Sequence, residues 1–440
     1  MNKMTDHSGV LAELVAGTWR DPSTGKQYDI GIKDIALHES LDGVEAELVA
    51  KLHAGKHITV ISDEFTHDAV GARIYKALLR EGFKVDEYVW KNPVCSDEGV
   101  QHIRETTQAC EVRIAVGSGT VSDTVKYASF LDDKPYSVFA TSPMNAYTTA
   151  TASVSSGGFK RSITCKGAQG VYFDLSVIAQ CPTRLISAAF ADVICRTTSQ
   201  VDWLLSNLLF NTAYDETPYT LLAYDEADMI ANAEKMLTGD LNALAMLTRI
   251  AAIMGLGTRF TGTTHSGSMA EHMISHYIDM FAGSLHPRTS HGEQVGVATI
   301  TLSQLHNQIL NAKTAPVLKP TRVPEEWIRS SFDTAMADNM LEQTRKKALD
   351  EKLCEQINQR LADDWDAIRE PLLKCMLPYE TLRTAMQGAG CQLTATDLGL
   401  DTDFYQQAVK GARFIRDRYS MLDLVDDSTG LDDFAQRMSL

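Results

Sequence analysis

The sequence of 440 residues predicts an α/β domain followed by an all-helical domain. In roughly the first 180 residues, short β-rich runs alternate with helical patterns, for example at 57–62, 69–83 and 84–90. Strand, helix and strand at this spacing are typical of a parallel sheet with helices on its faces. From about Pro182 onward the apolar residues follow a helical period. We therefore predict an α/β domain over 1–180 and a helical domain over 181–440.

The composition excludes several classes of partner. Apolar residues make up 44% of the chain, and 57 acidic against 41 basic side chains give a net charge of −16. Such an acidic protein is unsuited to a nucleic acid or an anionic membrane surface. We find no apolar run of membrane-spanning length and no signal peptide. The eight cysteines lack a Cys-x-x-Cys pair, so we expect reduced thiols in a cytoplasmic protein.

A glycine-containing turn joins a predicted strand to a predicted helix within 115–123. Glycines at positions 117 and 119 would let the backbone approach a pyrophosphate at the start of the helix. The pattern is not a full G-x-G-x-x-G, because Ser122 stands at the third glycine position. The alternative is a tight turn in which Ser118 or Ser122 caps the helix.

Asp63 ends the predicted strand 57–62. A carboxylate at the carboxyl end of such a strand can bond ribose hydroxyls. The alternative is an acidic loop residue without a ligand. If Asp63 lies at the ribose, it would repel a 2′-phosphate, which favours NAD over NADP.

Five of the twelve histidines cluster in one short segment of the predicted helical domain. His272 and His276 are four residues apart, so they share a helix face, and His291 opens the next helix. Imidazoles on different helices suit a divalent metal, which then needs an anionic third ligand. The alternative is a set of ordinary core or surface histidines. The cluster comprises His265, His272, His276, His286 and His291.

Asp192 is the candidate for the anionic ligand. It lies in the apolar helical segment RLISAAFADVICR. Burying a lone carboxylate among apolar side chains costs several kcal/mol or forces its protonation, and a cation would compensate. The alternatives are an aspartate at a helix edge facing water, or one paired with Arg184 or Arg196.

The motifs in their order along the chain resemble one family, the glycerol-1-phosphate dehydrogenases. That family belongs to the superfamily of iron-containing alcohol dehydrogenases, glycerol dehydrogenases and dehydroquinate synthases. The bacterial branch is the most similar, because an Asp-Trp pair follows the metal aspartate there, as Asp202-Trp203 does here. The motifs are GSGTVSDTVKYAS, ATSPMNAYTT, AAFADVICRTTSQVDWLLSNLL, SGSMAEHMISHYIDM, SHGEQVGVAT and RFIRDRYSMLDL.

The resemblance implies a Rossmann-like nucleotide-binding domain and an all-α domain, together the dehydroquinate synthase-like fold. It implies NAD or NADP and one divalent metal ion (zinc, nickel or iron) held by Asp192, His272 and His291. His276, Asp192 and Asp123 are the catalytic residues we expect from it. The implied cofactor-binding residues are Asp63, Gly117, Ser118, Gly119, Thr120, Val121, Ser122, Asp123, Thr141, Ser142 and Thr149.

The implied substrate-binding residues are Asn145, Asp192 and His276. Asn145 departs from the family, which usually has an aspartate there. The implied reaction interconverts a polyol phosphate and its ketone, most simply glycerol-1-phosphate and dihydroxyacetone phosphate. The alternatives are a glycerol or other alcohol dehydrogenase and a dehydroquinate-synthase-like lyase or cyclase. Arg259 and Arg288 are candidates for the substrate phosphate by proximity alone, and the alternative is that both are solvated loop arginines.

The expected partners are therefore small molecules. We expect a phosphorylated polyol or ketone substrate, no nucleic acid and no membrane insertion. The resemblance also implies a homo-oligomer, a dimer or larger.

Overall fold

The computed structural model describes residues 5–157 and 159–438. The chain forms two compact units. The first contains the chain up to Ala189 together with Glu216–Thr263, and the second contains Phe190–Asp215 and the chain from Thr264 onward. This division differs from the predicted one at 180/181, because the helices of 216–263 pack in the first unit rather than in the second.

Six parallel strands form the sheet of the first unit, in the order β1-β8-β5-β4-β2-β3. A separate antiparallel pair, β6 and β7, lies between β5 and β8 in sequence. The strands are β1 (Asp34–His38), β2 (Ile58–Asp63), β3 (Val85–Trp90), β4 (Val112–Gly117), β5 (Tyr136–Ala140), β6 (Thr151–Ser156), β7 (Phe159–Thr164) and β8 (Gly170–Asp174).

The central strands are buried on both faces. Every residue of β2, β4 and β5 is buried. Near-continuous apolar runs are what a parallel sheet covered by helices requires. Because the strands are parallel, Asp63, Gly117 and Ala140 end their strands at the same edge. The candidate nucleotide loop therefore lies at the carboxyl ends of the strands, where open α/β sheets bind ligands.

The first unit also contains α-helices before, between and after these strands. They are α1 (Val10–Ala16), α2 (Glu45–His53), α3 (Glu64–Thr66), α4 (Ala72–Arg80), α5 (Asp97–Thr106), α6 (Gly119–Leu131), α7 (Leu175–Ile178), α10 (Thr217–Leu222), α11 (Glu226–Ala231), α12 (Ala233–Met236) and α13 (Leu241–Thr261). A π-helical turn, His67–Gly71, joins α3 to α4. Helix α8 (Thr183–Ile194) crosses the division between the units.

Helix α13 explains why the units differ from the predicted domains. It packs on the 3₁₀ turn Asn145–Tyr147 of the first unit, and the Thr148 hydroxyl donates to the carbonyl of Ala252 at 2.7 Å. By length and composition α13 could cross a membrane, but 67% of its most apolar window is buried inside the protein. Burial of this kind is that of a core helix.

The second unit is helical throughout the part of the chain that the structure describes. Besides the end of α8, it contains α9 (Arg196–Phe210), α14 (Ala270–Phe281), α15 (His291–Leu310), α16 (Glu325–Ser331), α17 (Thr334–Lys347), α18 (Glu351–Asp363), α19 (Trp365–Cys375), α20 (Tyr379–Gly388), α21 (Thr402–Gly411), α22 (Met421–Ser428) and α23 (Asp432–Arg437).

The predicted fold class, an α/β Rossmann-like part and an all-α part, is confirmed. The predicted strand 57–62 is observed as β2 and the predicted strand 84–90 as β3. Strand β1 was not predicted, because only two of its five residues are buried and its apolar run is very short.

Candidate metal centre and nucleotide loop

Asp192 lies in the last turns of α8, where the adjacent side chains Ala191 and Val193 are buried. The Asp192 side chain itself is 14% exposed. The apolar surroundings that made Asp192 a candidate in the sequence are therefore real. A carboxylate in such surroundings needs positive charge or hydrogen-bond donors beside it.

His272 is buried in the first turn of α14, and its neighbour Glu271 fixes its orientation. The Nδ1 atom of His272 lies 3.0 Å from Oε1 of Glu271. A carboxylate can only accept, so Nδ1 carries the proton and Nε2 presents its lone pair. Glu271 is fully buried and also accepts from the backbone N–H of Met269 at 2.7 Å. A carboxylate that orients a metal-ligating imidazole in this way is common in metalloproteins.

His291 is the first residue of α15, which begins with a capping box between Ser290 and Glu293. Its Nδ1 atom lies 2.9 Å from the hydroxyl of Ser275. That hydroxyl donates to Oε1 of Gln294 at 2.7 Å, so it accepts the Nδ1 proton of His291. The Nε2 atom of His291 is thereby the one that presents a lone pair.

The three side chains converge. Oδ1 of Asp192 lies 3.5 Å from Nε2 of His272 and 3.9 Å from Nε2 of His291. The two imidazole centroids are 4.9 Å apart. Two ligand atoms bound tetrahedrally to one zinc ion at the usual bond lengths lie roughly 3.4 Å apart. One carboxylate and two imidazoles at these separations fit a divalent metal ion such as zinc, nickel or iron.

Electrostatics at this centre favour positive charge. Burial alone would lower the pKa of His272, but its contacts with Asp192, Cys195 and Glu271 outweigh burial and raise that pKa well above its ordinary value. Burial would raise the pKa of Glu271, but His272 holds it below its usual range. The surroundings that stabilise a proton on His272 would equally stabilise a metal cation in its place.

His276, predicted to contact substrate, lies beside the same centre. It is buried one turn along α14 from His272. Its ring centroid is 6.3 Å from that of His272 and 5.6 Å from that of His291. The position suits a group that handles a substrate proton next to a bound metal ion.

Cys195 approaches the centre from the end of α8, and sequence reasoning did not single it out. The Cys195 thiol is fully buried and donates to the backbone carbonyl of Asp192 at 3.0 Å. Burial raises its pKa to about 12. Together with Glu271 and His272 it forms a second group of potential ligand atoms. Because a thiol of that pKa keeps its proton, it is a poorer ligand than the Asp192 carboxylate.

The Asp-Trp pair named by the sequence resemblance anchors the helix that carries His272. Asp202 is fully buried in α9 and accepts from His306 Nε2 at 3.1 Å and from the backbone N–H of Met421 at 2.9 Å. It also lies 3.4 Å from the backbone N–H of Ala270, the first residue of α14. Asp202 thus joins α9, α14, α15 and α22 at one point.

The glycine loop of the first unit ends β4 and starts α6. A Cβ at Gly117 would lie 3.0 Å from the Cβ of Val121, so the close turn disfavours any larger residue there. Ser118 precedes α6 and makes no side-chain capping bond, which contradicts the capping alternative for that residue. The first N–H groups of α6, from Gly119 to Val121, are therefore not capped by the Ser118 side chain. Such a helix start attracts phosphate.

Ser122 does not cap the helix either. Its hydroxyl is buried and has no hydrogen-bond partner in the described part of the chain. Thr120 lies in the first turn, and its carbonyl accepts from the Thr124 hydroxyl. An unsatisfied buried hydroxyl beside uncapped N–H groups is the chemistry that a nucleotide pyrophosphate would complete.

Asp63, at the end of β2, caps the short helix α3. Its Oδ1 accepts from the backbone N–H of Thr66 at 2.8 Å, and the two residues form a capping box for α3. The Thr66 hydroxyl also lies 3.0 Å from the carbonyl of Val116 in β4. The role of Asp63 at the adenosine side of the cofactor stays a prediction.

Asp123 is held on both carboxylate oxygens. Oδ1 accepts from Lys126 Nζ at 2.8 Å, and Oδ2 accepts from the backbone N–H of Ser153 at 2.9 Å. Lys126 is fully buried and also donates to the carbonyls of Ala146 and Thr151. Asp123 is thus an anchor between α6, β6 and the loop after β5, and its catalytic role stays a prediction.

The loop after β5 carries the second group of predicted cofactor residues. Ser142 is buried and its hydroxyl lies 2.8 Å from the Tyr147 hydroxyl, which donates to the carbonyl of Gly117. Tyr147 therefore links this loop to the glycine loop. Thr141 is buried, while Asn145 and Thr149 are half-buried. The Thr149 hydroxyl contacts that of Thr151.

Sequence reasoning missed Glu271 as an orienting group, as well as Lys126 and Tyr147. Glu271 stands next to His272, and a charged residue inside a predicted apolar helix face was the available signal. Lys126 pairs with Asp123 three positions earlier, and Tyr147 contacts Ser142 five positions earlier. Their backbone carbonyl acceptors, however, lie 20 to 30 positions away. Nothing in the sequence indicates such contacts.

Comparisons with known proteins find chains that are similar to this one. A family model described as iron-containing alcohol dehydrogenase matches residues 36–182. A glycerol-1-phosphate dehydrogenase [NAD(P)+] of Geobacillus thermodenitrificans is 26% identical over 435 residues, which cover 96% of this chain and 97% of the relative. The enzyme of the same name from Methanothermobacter thermautotrophicus is 26% identical over 311 residues, 69% of this chain and 88% of the relative.

Solved structures share the fold. Glycerol dehydrogenase from Schizosaccharomyces pombe superposes with a TM-score of 0.58 at 15% identity, covering 90% of this chain and 88% of that one. NADH-dependent butanol dehydrogenase A from Thermotoga maritima gives 0.59 at 15% identity, covering 91% and 96%. At this identity the likeness concerns the fold alone.

The chain is therefore similar to the iron-containing alcohol dehydrogenases over residues 36–182 and to the glycerol-1-phosphate dehydrogenases over most of its length. Its curated relatives are named glycerol-1-phosphate dehydrogenases, so the resemblance that the motifs indicated is confirmed. The predicted cofactors, NAD(P) and a divalent metal ion, agree with the names of these relatives and of the matched family model.

Proposed function

We propose that this protein interconverts glycerol-1-phosphate and dihydroxyacetone phosphate with NAD(P) and one divalent metal ion. The convergence of Asp192, His272 and His291 within 3.5 to 3.9 Å is the observation that carries the proposal. The relatives that match most of the chain are named for this substrate. Together they favour a phosphorylated substrate over plain glycerol.

Two sets of residues hold the cofactors in this proposal. Asp192, His272 and His291 hold the metal ion, and Glu271 and Ser275 fix the two imidazoles so that Nε2 faces it. The N–H groups at the start of α6 and the buried Ser122 hydroxyl bind the pyrophosphate. The remaining cofactor contacts come from the loops that end β2 and β5.

When bound, the metal ion supplies a Lewis acid for the carbonyl or alcohol oxygen, and the nicotinamide supplies or accepts the hydride. The residues of this chain orient the substrate and move its proton. In oxidation His276 accepts the hydroxyl proton on an imidazole nitrogen, and in reduction it returns that proton to the oxygen. Asn145, where the family usually has aspartate, binds substrate through a neutral amide.

A substrate panel tests this proposal. The protein is purified, freed of metal and reloaded with zinc, nickel or iron. It is then assayed with glycerol-1-phosphate, glycerol-3-phosphate, glycerol and dihydroxyacetone phosphate by NAD(P)H absorbance. We expect turnover with glycerol-1-phosphate and dihydroxyacetone phosphate. Turnover of glycerol alone would make it a glycerol dehydrogenase, and substrate loss without net NAD(P)H change would make it a lyase or cyclase.

The assembly and the location of the protein belong to the same proposal. We expect a homo-oligomer, which light scattering on the purified protein measures directly. We expect a cytoplasmic enzyme. Cell fractionation with an antibody to the protein tests the location.

A further inference from the structure

A chain of hydrogen bonds leads from the candidate metal ligand His291 to an acidic side chain one turn beyond Ser275. His291 Nδ1 lies 2.9 Å from the Ser275 hydroxyl, which donates to Oε1 of Gln294 at 2.7 Å. Nε2 of the same glutamine donates to Oδ1 of Asp279 at 3.1 Å. Ser275 and Asp279 belong to α14, and His291 and Gln294 belong to α15. The hydrogen bonds therefore join the two helices that carry His272 and His291.

The direction of each of these bonds follows from the last member, the Asp279 carboxylate. An ionised carboxylate can only accept, so the NH₂ group of the Gln294 amide has to face it. The opposite orientation of the amide would place its oxygen where Nε2 lies, 3.1 Å from Oδ1 of Asp279, and two acceptors repel each other at that distance. The amide oxygen therefore faces the Ser275 hydroxyl. That hydroxyl donates to the amide oxygen, which leaves its lone pairs for the Nδ1 proton of His291.

Two other neighbours of the Gln294 amide are compatible with this orientation. The Thr289 hydroxyl lies 3.3 Å from Nε2 of Gln294, and a hydroxyl can accept as well as donate. His286 Nδ1 accepts from the backbone N–H of Arg288, so Nε2 of His286 carries the ring proton and donates to Oδ1 of Asp279 at 3.0 Å. The same Nε2 atom lies 3.2 Å from Nε2 of Gln294, but the carboxylate is closer and charged, so it keeps the proton.

Burial makes the inner part of this network depend on its protein partners. Ser275 and Gln294 are fully buried, so water does not replace a bond that either of them loses. The outer part is partly exposed, because the side chains of His286 and Asp279 are 25% and 23% exposed. A change in the orientation of the Gln294 amide therefore passes to the Ser275 hydroxyl and is not absorbed by solvent.

Each of the two imidazoles of the candidate metal centre thus has a carboxylate on its Nδ1 side. For His272 this carboxylate is Glu271, in direct contact at 3.0 Å. For His291 it is Asp279, which acts through an amide and a hydroxyl. Groups that hold the second nitrogen of a metal-ligating imidazole fix its tautomer and its orientation.

We propose that Asp279 and Gln294 are positioning residues of the metal centre, because together they set the tautomer of His291. Asp279 fixes the Gln294 amide, and the amide fixes the direction of the Ser275 hydroxyl. The hydroxyl in turn keeps the proton of His291 on Nδ1, so that Nε2 has its lone pair available for the metal ion. The inference rests on the proposed function, which supplies that metal ion.

Two substitutions and a matched control test this network. Asp279→Asn keeps the size of the side chain but offers the Gln294 amide a donor as well as an acceptor. Gln294→Met removes both bonds of the amide and places an apolar side chain of similar size in a buried position, so it is the second variant if the first does not fold. Asp363→Asn is the control, because Asp363 is an exposed carboxylate that accepts from a glutamine amide within α18.

Two measurements are made on each variant. The first is NMR of metal-free protein labelled with ¹⁵N-histidine, at about pH 8.5 and so roughly two pH units above the ordinary histidine pKa, with the His291 signals assigned from His291→Ala. The second is zinc affinity, measured by chelator competition. We expect Asp279→Asn and Gln294→Met to move the proton of His291 from Nδ1 towards Nε2. Zinc affinity should fall about 3- to 10-fold in Asp279→Asn, less than after loss of a carboxylate in direct contact, and Asp363→Asn should change neither quantity.

A double substitution separates the positioning role from a general effect of charge or packing. In Ser275→Ala the link between Gln294 and His291 is already broken, so the addition of Asp279→Asn should lower zinc affinity by less than about twofold. A full further loss of affinity in the double variant would overturn the inference. An unchanged His291 tautomer in the folded single variants would also overturn it.

Failure of the proposed function gives a different result. If the unsubstituted protein binds no zinc, nickel or iron but the His291 tautomer responds to Asp279→Asn and to Gln294→Met, the metal assignment is wrong and the control of the tautomer stands. If zinc binds and neither variant changes the tautomer or the affinity, the positioning role is wrong and the metal assignment stands.

Discussion

The candidate metal centre and the candidate nucleotide loop are suited to opposite charges, because they arrange the same kinds of group in opposite ways. At the metal centre, Glu271 and Ser275 engage the Nδ1 atoms of two histidines, so both Nε2 lone pairs face Asp192. At the nucleotide loop, the Asp123 carboxylate is engaged by Lys126 and Ser153, and uncapped N–H groups face outward from the helix start. The candidate metal centre brings lone pairs together for a cation. The candidate nucleotide loop leaves hydrogen-bond donors available for an anion.

The substitution with the largest expected effect removes the anionic ligand of the candidate metal centre. Asp192→Asn keeps the shape of the side chain but removes the only negative charge of the triad. We expect the variant to lose bound metal. We also expect kcat to fall by well over the roughly 100-fold that is lost when a hydrogen-bond partner of a metal ligand is removed. NAD(P) binding, followed by fluorescence titration, should stay close to that of the unsubstituted protein. Full turnover in the variant would contradict the metal assignment.

The second-largest effect is expected from replacing Lys126, which holds Asp123 in the helix that follows the nucleotide loop. Lys126→Met leaves the buried Asp123 without its cation, which we expect to cost about 3 to 5 kcal/mol of unfolding free energy. The loop containing Ala146 also loses a donor, so KM for NAD(P) should rise. Denaturant unfolding and a cofactor titration measure the two effects.

Lys166→Met is the matched control, because the Lys166–Asp133 pair is exposed. It should change the free energy of unfolding by less than about 1 kcal/mol. Equal effects of the two lysine substitutions would contradict the anchoring role of Lys126.

Two further substitutions compare the groups that orient His272 and His291 in the candidate metal centre. Glu271→Gln should weaken metal affinity about 10- to 100-fold, because the charged group that fixes the His272 tautomer is lost. Ser275→Ala removes only a neutral hydroxyl from His291, whose side chain is 38% exposed, so its effect should be smaller. Chelator competition measures both affinities. A larger loss in Ser275→Ala than in Glu271→Gln would reverse the account of which histidine is held more firmly.

The smallest effect concerns a buried carboxylate of the second unit that belongs to neither site. Burial, and then Asp423, raises the pKa of Asp427 to about 7. The folded state therefore binds this proton more tightly than the unfolded chain, and the associated stability is lost as pH rises from about 4 through about 7. Asp427→Asn should be more stable than the unsubstituted protein by about 1 to 2 kcal/mol near pH 8.

Near pH 4.5 the same variant should match the unsubstituted protein, because Asp427 is then mostly protonated in the folded state. Thermal unfolding at both pH values makes the comparison. A stability difference that does not depend on pH would assign the effect to packing rather than to the charge of Asp427.

The fold was predictable because its strongest signals are local. The apolar runs of β2, β4 and β5 and the helical period after Pro182 lie within short windows of sequence. Strand β1 lacks such a run, and α13 belongs to the first unit through a distant contact between Thr148 and Ala252. Contacts over about 100 positions leave no periodic mark in the sequence, so the unit boundary was not predicted.

The site was predictable where chemistry conflicts with its surroundings. Asp192 stands out in an apolar helix, and clustered histidines stand out in any sequence. Lys126 and Arg418 do not stand out, because lysine and arginine are ordinary residues of helices and loops. Only the folded chain reveals that Lys126 donates to three oxygen acceptors and that Arg418 donates to the backbone carbonyl of Ser268.

Titration of metal-free protein with zinc, followed by calorimetry, tests the central claim most directly. Asp192, His272 and His291 should give one tight site per chain, and the single substitution His291→Ala should weaken it strongly without unfolding the protein. Binding of equal strength and stoichiometry in His291→Ala and in the unsubstituted chain would contradict the claim that these three side chains form the metal centre.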